Sequence, residues 1–388
     1  MKKRFLLLCF IFTAFASLCT FSVSAETIAS GICGENLTWT LYDDGTIAVS
    51  GDGAMDDWLS YSDVPWYSER EHIKNVVLFD GVTKIGDYAF YYCTELANII
   101  FGDSSGLISI GNYAFTGCEN LTIINFDGNS RLTSIGEYAF TGCDGIMSIT
   151  FGDDSSLGNI DNYAFAYCFT LENITIPDSV TYIGDYAFFG CTALESVAFE
   201  DDSQLAATGD GAFYYCRSLA SVDFGENSRL VSIGDFAFYD CVDLDEIILP
   251  ESMANIGYYA FHGCTALANI VIPAGVSQIS SYAFSICDSL ENVTVPVGVK
   301  TVDAYAFYDC EALAEIYYCG TEQEWSGISI GSGNTELENA VIHFGYIAES
   351  DVMYGDLNSD GLVNGIDRTI LTRHIAKWPG YETLPFES

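Results

Sequence analysis

Ile183-Gly184-Asp185-Tyr186-Ala187-Phe188-Phe189-Gly190-Cys191-Thr192-Ala193-Leu194-Glu195-Ser196-Val197-Ala198-Phe199 decides how the whole chain is read, because it recurs. In the form Ile-Gly-x-Tyr-Ala-Phe-x-x-Cys-x-x-Leu-x-x-Ile-x-Phe/Ile it appears ten times, with cysteines at 93, 118, 143, 168, 191, 216, 241, 264, 287 and 310. The interval is always 23 or 25 residues. A fixed period of this length marks a stacked-repeat architecture. One unit cannot bury its own apolar face, so neighbours stack and the chain grows in one dimension.

Within a unit, Leu171-x-x-Ile174-x-Ile176 and Val180-x-x-Ile183 read as two short strands joined by the turn Pro177-Asp178-Ser179. The expected inward set is the Leu, both Ile pairs, Ala, Phe and Cys. Units of 25 residues carry two extra residues at the turn, as in Phe151-Gly-Asp-Asp-Ser-Ser-Leu157. Insertions at one place map to one edge of a stack, here rich in Asp and Ser. Ten coils at about 4.8 Å predict a body roughly 50 Å long. Strand side chains alternate between faces, which sends Asn98, Asn125, Ser148, Thr150, Asn173, Thr175, Ser196, Ser221, Asp223, Asn269, Asn292 and Thr294 outward. This row of donors and acceptors is the candidate ligand face for a protein or glycan.

Residues 1–25 read as a signal peptide: basic Lys2-Lys3-Arg4, apolar Phe5 to Phe21, and small residues Val23-Ser24-Ala25 before cleavage. An exported, extracellular protein follows, with no membrane insertion. Removing the signal leaves ten basic against 54 acidic residues, a net charge of −44. Such a surface repels nucleic acid and anionic membrane and favours calcium, basic partners or neutral ligands. Twelve cysteines remain. Stacked coils hold equivalent positions about 4.8 Å apart with parallel side chains, whereas a disulfide needs converging Cβ atoms about 3.8 Å apart. The ten repeat cysteines are therefore expected as a ladder of buried thiols, and Cys33 and Cys319 lie in opposite caps, too far apart to pair.

Residues 26–75 lack the repeat. Leu37-Thr-Trp-Thr-Leu and Thr46-Ile-Ala-Val-Ser alternate around Tyr42-Asp43-Asp44-Gly45, a hairpin signal, and predict an N-terminal β cap. The solenoid then spans 76–318, residues 319–345 form a C-terminal cap, and 346–353 a linker. The tail, 354–388, carries Asp356-Leu-Asn358-Ser-Asp360-Gly361-Leu362-Val-Asn364-Gly-Ile-Asp367. This is an EF-hand-like calcium loop: Asp356, Asn358 and Asp360 stand at positions 1, 3 and 5, Leu362 offers its carbonyl at 7, Asn364 stands at 9 and Asp367 closes at 12. Calcium takes oxygen ligands, and every one of these supplies oxygen. Ile366, Ile370, Leu371, Ile375 and Trp378 fall at helical spacing over the segment that follows, stopped by Pro379-Gly380.

The repeats, with Cys-x-x-Leu-x-x-Ile-x-Ile-Pro, resemble the BspA-like class of bacterial leucine-rich repeats over roughly residues 30–345. That resemblance implies a β-rich leucine-rich repeat solenoid of about ten coils of 23–25 residues with N- and C-terminal caps, on surface or secreted proteins that bind matrix, cells or glycans without catalysis. The tail resembles a type I dockerin, a small EF-hand-like α module, in one loop–helix unit where dockerins usually carry two. It implies bound Ca2+ and, as partner, the cohesin domain of a scaffold protein, with Gly365, Ile366, Thr372 and Arg373 at the recognition offsets. By resemblance, such assemblies (cellulosomes) work on plant polysaccharides.

Gly327-Ile-Ser329-Ile-Gly331 matches the nucleophile elbow, which needs a strand before it and a helix after it; a solenoid cap offers neither, so no enzyme activity is expected. The aromatics that follow Ala-Phe, such as Tyr91-Tyr92, Tyr214-Tyr215 and Tyr308, form either a packed turn column or a stacking strip for sugars. The leading expectation is a secreted binding protein docked by its tail to a cohesin-bearing scaffold or cell surface, in support of polysaccharide breakdown. The alternatives are a free secreted adhesin with a vestigial dockerin and, remotely, a polysaccharide-acting hydrolase subunit.

Overall fold

The computed structural model describes residues 25–102 and 105–346. The signal segment, the linker from residue 347, the 356–367 loop and the helix expected after it lie outside the described residues.

Each coil contributes a first strand, such as Asn173–Ile176, and a shorter second strand, such as Tyr182–Ile183. Equivalent strands pair in parallel from coil to coil. Ser148 pairs with Asn173 and Asn173 with Ser196, intervals of 25 and 23 residues, so the two extra residues are absorbed in the turns without disturbing register. Along Asn173–Ile176 exposed and buried residues alternate, because a strand with one covered face must present every second side chain to the core. The stacking continues past both ends of the recognisable repeat. Thr46–Gly51 pairs in parallel with Asn75–Leu78, and Val341–Phe344 with Glu315–Tyr318, which brings the solenoid to about twelve turns. At the N-terminal end Thr27–Gly34, Leu37–Tyr42 and Thr46–Gly51 form an antiparallel sheet, turned at Gly45, whose φ of 84° suits glycine.

The core is a column. Phe90, Phe115, Phe140, Phe165, Phe188, Phe213, Phe238, Phe261, Phe284 and Phe307 are fully buried, each nearly parallel to the next with ring centroids 5.0 to 5.5 Å apart. Beside it runs the thiol ladder. Cys118 donates its S–H to the Phe90 carbonyl at 3.2 Å, and the same bond repeats coil by coil to Cys310 and Phe284 at 3.0 Å. All ten repeat cysteines and Cys33 are buried and unpaired by disulfides, and Cys319 is half-buried. Burial pushes the thiols of Cys93, Cys118, Cys241 and Cys264 up, and that of Cys33 up to about 12 with help from Asp56, which keeps them protonated and inert.

The third side of each coil, Ile-Gly-x-Tyr-Ala-Phe-x-x-Cys, is a run of turns. Its tyrosine is left-handed: φ is 62° at Tyr88, 57° at Tyr113 and 55° at Tyr163. A bulky residue there costs about 1–3 kcal/mol and persists only where neighbours over-determine it. Here the neighbours are the adjacent coils. The N–H groups of Tyr88, Phe90 and Tyr92 donate to the carbonyls of Asn112, Ala114 and Thr116 at 2.9, 2.7 and 2.8 Å, and Tyr113, Phe115 and Gly117 repeat the pattern onto Glu137, Ala139 and Thr141. In this row of alternate N–H groups, from the Tyr, the Phe and the residue before the Cys, the donors point toward the following coil, while the Gly N–H and Cys S–H donate to the preceding one. The first coil is therefore left with acceptors and the last with donors. Trp66 meets the first need, giving its indole N–H to the Ala89 carbonyl at 2.7 Å while its ring stacks 5.6 Å from Phe90. Buried Asn334 meets the second, accepting from the Phe307 N–H at 3.0 Å and donating to the Asp303 and Gly331 carbonyls.

Candidate functional site

The outward strand face consists of two rows, at the first and third strand positions. Asn98, Asn173, Ser196, Ser221, Asn269 and Asn292 stand in the first row; Asn125, Thr150, Thr175, Asp223 and Thr294 stand in the third-position row. Several of these groups bond to one another. Asn98 donates to Asn75 at 2.9 Å, Asn292 to Asn269 at 2.7 Å, and Ser196 to Asn173. Asn125 and Asp223 accept from the backbone two residues on, at Asp127 and Gly225. The hydroxyls of Thr150, Thr175 and Ser221 face solvent.

Thr294 departs from the expectation. It is buried, because its register partners on the two flanking strands are Val271 and Tyr317, both larger than a threonine, and they cover it. The face also holds apolar side chains that a search for polar residues passes over. Ile123 pairs with Ser148 in the first row, Val271 lies in the second, and Ile248 follows the Ile247–Val222 pair. These three are more than half or half exposed, Ile248 at 66%. Aligning the coils at their cysteines is the signal that finds them.

On the turn side, the tyrosines of Ile-Gly-x-Tyr form their own column. Tyr88, Tyr113, Tyr138, Tyr163 and Tyr186 stack at 4.8 to 5.1 Å, and Phe236, Tyr259, Tyr282 and Tyr305 at 4.5 to 5.2 Å. Gly211 interrupts them, and the Tyr186 ring occupies the space its Cβ would need. Burial pushes the hydroxyls of Tyr113, Tyr163 and Tyr186 up, so they stay neutral. Of the aromatics singled out in the sequence, Tyr214 stacks on Tyr239 at 4.6 Å, and Tyr239 on His262 at 4.4 Å. Tyr308 meets Tyr305 edge-on. Tyr91 and Tyr92 gather with Tyr61, Tyr67 and Arg70 of the N-terminal segment around a cleft of about 240 Å³. The last three fall outside the repeat, and nothing in the sequence places them beside it.

Ser329 sits on the strand Ser329–Ile330, paired with Thr301, after the short helix Glu322–Trp325. A nucleophile elbow puts its serine on a turn from strand to helix, and this arrangement differs. Among the described residues no cluster of His, Cys, Asp or Glu has metal-binding geometry, and no helix is long and apolar enough to cross a membrane. The calcium residues Asp356, Asn358, Asp360, Leu362, Asn364 and Asp367, and the cohesin-facing Gly365, Ile366, Thr372 and Arg373, lie outside the described residues.

The repeat itself decides the family. A model of the BspA type leucine-rich repeat region matches residues 66–191, 158–231 and 207–326. The chain belongs to the BspA-type leucine-rich repeat family. Solved structures similar to this BspA-type protein include a leucine-rich cell surface protein from Faecalibacterium prausnitzii, 24% identical over 78% of this chain and 98% of that one, with a TM-score of 0.36. A leucine-rich repeat protein from Eubacterium ventriosum is 21% identical over 85% and 99%, TM-score 0.43. The pneumococcal vaccine antigen PcpA is 18% identical over 81% and 96%, TM-score 0.45. No match is found among curated proteins.

Proposed function

We propose that this BspA-type protein is a secreted, non-catalytic recognition protein. Its solenoid binds a protein or glycan, and its tail, loaded with calcium, attaches it to a cohesin-bearing scaffold in support of polysaccharide breakdown. The observation that carries the recognition part is the filled core. Ten stacked phenylalanines and the thiol ladder occupy the interior, so a ligand must be met on the surface, where side chains recur at coil spacing. Thr150, Thr175 and Ser221 offer hydroxyls on the same face as exposed Ile123, Ile248 and Val271, the mixed polar and apolar character of protein-binding surfaces. A surface location agrees with the name of the Faecalibacterium relative, a cell surface protein.

The tail part rests on the spacing of six oxygen-bearing positions from Asp356 to Asp367. In this reading Asp356, Asp360 and Asp367 bring the negative charge to the ion, Gly361 makes the turn, and Gly365, Ile366, Thr372 and Arg373 meet the cohesin. Calorimetric titration of calcium into the full chain, followed by pull-down on a cohesin panel, tests it. Capture should require calcium and be abolished by Asp356→Ala or Asp367→Ala. Capture that persists in excess chelator refutes the docking step. Binding to cells or matrix that survives both chelator and truncation at Asp351 makes the protein a free adhesin instead.

A further inference from the structure

The cleft at the N-terminal end of the turn side has the makings of a sugar site separate from the strand face. Tyr61 stacks on Tyr91 at 5.0 Å with planes 10° apart, Tyr92 leans on Tyr91 at 4.7 Å, and Tyr67 closes the group 5.3 Å from Tyr61. Tyr61 thus continues the aromatic stacking beyond the first full coil. Tyr61 and Tyr92 keep 40% and 45% of their surface exposed, and Tyr92 lies over Gly117, where any Cβ would press on the ring at 3.1 Å. The depression is shallow and open to solvent, with about 240 Å³ of space over Tyr61, Tyr67, Arg70, Tyr91 and Tyr92, so it would hold one residue of a longer chain that passes over it rather than engulf a ligand.

Arg70 fixes the charge of the ligand. Its guanidinium lies over the Tyr67 ring at 4.4 Å and donates to the Tyr67 carbonyl at 3.1 Å and to Glu71 at 3.0 Å. A cage of tyrosines alone would attract a cation, but here a cation is already resident and repels another. A guanidinium has five N–H donors, and two are used. The Glu71 partner is exposed, and exposed ion pairs exchange readily. A ligand carboxylate that displaces Glu71 from Nη2 would meet the guanidinium there, beside ring faces suited to the C–H face of a sugar. On a chain with 54 acidic and 13 basic residues, such a site stands out against its surroundings.

We infer that this cleft binds one uronic acid residue of an acidic polysaccharide, with its carboxylate on Arg70 and its ring on the exposed face of Tyr92. The site does not depend on the strand face or on the calcium tail. The test is calorimetric titration of the full chain with oligogalacturonate and with the neutral oligogalactose of equal length, at low and at physiological salt. In about 0.15 M salt, where the acidic remainder of the chain is screened beyond about 8 Å, oligogalacturonate should bind at least about tenfold more tightly, and at low salt the net negative charge of the chain should narrow the difference. Arg70→Met, which keeps the aliphatic stem over Tyr67, should remove that preference. Tyr92→Ala should weaken both ligands, and Thr150→Ala on the strand face should change neither. Absence of oligogalacturonate binding by the unaltered chain overturns the inference whatever the variants do. So does a preference that Arg70→Met leaves intact, or binding that Thr150→Ala abolishes and Tyr92→Ala spares.

Discussion

Two aromatic columns run the length of this solenoid, and they differ in what they tolerate. The phenylalanine column is unbroken over ten coils and fully buried. The tyrosine column on the turn side is partly exposed, loses a member at Gly211 and substitutes Phe236. A buried ring touches neighbours on every side, so its loss leaves a cavity. A ring with one face in water has less to lose. Variation therefore collects on the outer column, and the departures from regularity, not the repeat, mark where recognition can be built.

The sharpest way to break this contrast is to delete one ring from the inner column. Phe165→Ala should cost about 3–5 kcal/mol, read as a shift in urea midpoint; a cost below about 1 kcal/mol would mean that the column repacks and the comparison fails. Removing the C-terminal cap comes next. Asn334→Ala strands the Phe307 N–H and the Asp303 and Gly331 carbonyls, and an unsatisfied buried group costs about 1–3 kcal/mol. Hydrogen exchange should locate the loosening in the last coils. In the outer column, Tyr163→Ala removes two stacking contacts and should cost about 1 kcal/mol. Gly211→Tyr, which restores the missing ring, should not gain stability but lose about 1–3 kcal/mol, since its φ of 61° strains a bulky residue and the Tyr186 ring stands where the new Cβ would go; a rise in urea midpoint would mean that the outer column accepts the ring.

The smallest effect is on pH. Burial raises the carboxyl groups of Asp87, Asp210 and Asp240, which line the turn side. Folding disfavours their charged forms, so stability should rise as pH falls from neutral through their raised values, and level off below the unfolded value near 3.9. Two groups run the other way. Burial alone would raise Asp57, but the Lys84 ammonium and the Asp87 N–H bring it down, and the Thr321 backbone N–H and hydroxyl lower Glu324. Their contributions are present above the unfolded values and are lost as pH falls through the depressed ones. Urea midpoints between pH 7 and pH 4 should show a shallow net rise. A fall over that range would count against the raised values, since the contributions of the two lowered groups are lost only below about pH 4.

The solenoid was legible because its core positions obey a strict period: Cys191, Leu194 and Ile183 have no choice once neighbouring coils are stacked. The thiol ladder followed from spacing alone, although its acceptors, the Phe carbonyls, did not. The positive φ of the tyrosines was hidden, since nothing about Tyr88 as a residue favours that conformation and only the adjacent coil enforces it. The face of Thr294 was readable by alternation, but its burial depends on the bulk of Val271 and Tyr317, two coils' worth of context. Tyr61, Tyr67 and Arg70 were out of reach entirely, because a segment without periodicity gives no register by which to place it against Tyr91.

The one-way row of Tyr and Phe N–H bonds on the turn side makes the two caps chemically unlike. A coil inserted anywhere meets carbonyls with donors on one side and donors with carbonyls on the other, so lengthening or shortening the stack by whole units leaves every junction equivalent. The ends do not share that freedom. Whatever closes the N-terminal end must bring a donor, as Trp66 does, and whatever closes the C-terminal end must bring an acceptor, as Asn334 does. Chimeras that exchange one cap for the other should therefore leave the Ala89 carbonyl at one end and the Phe307 N–H at the other unsatisfied.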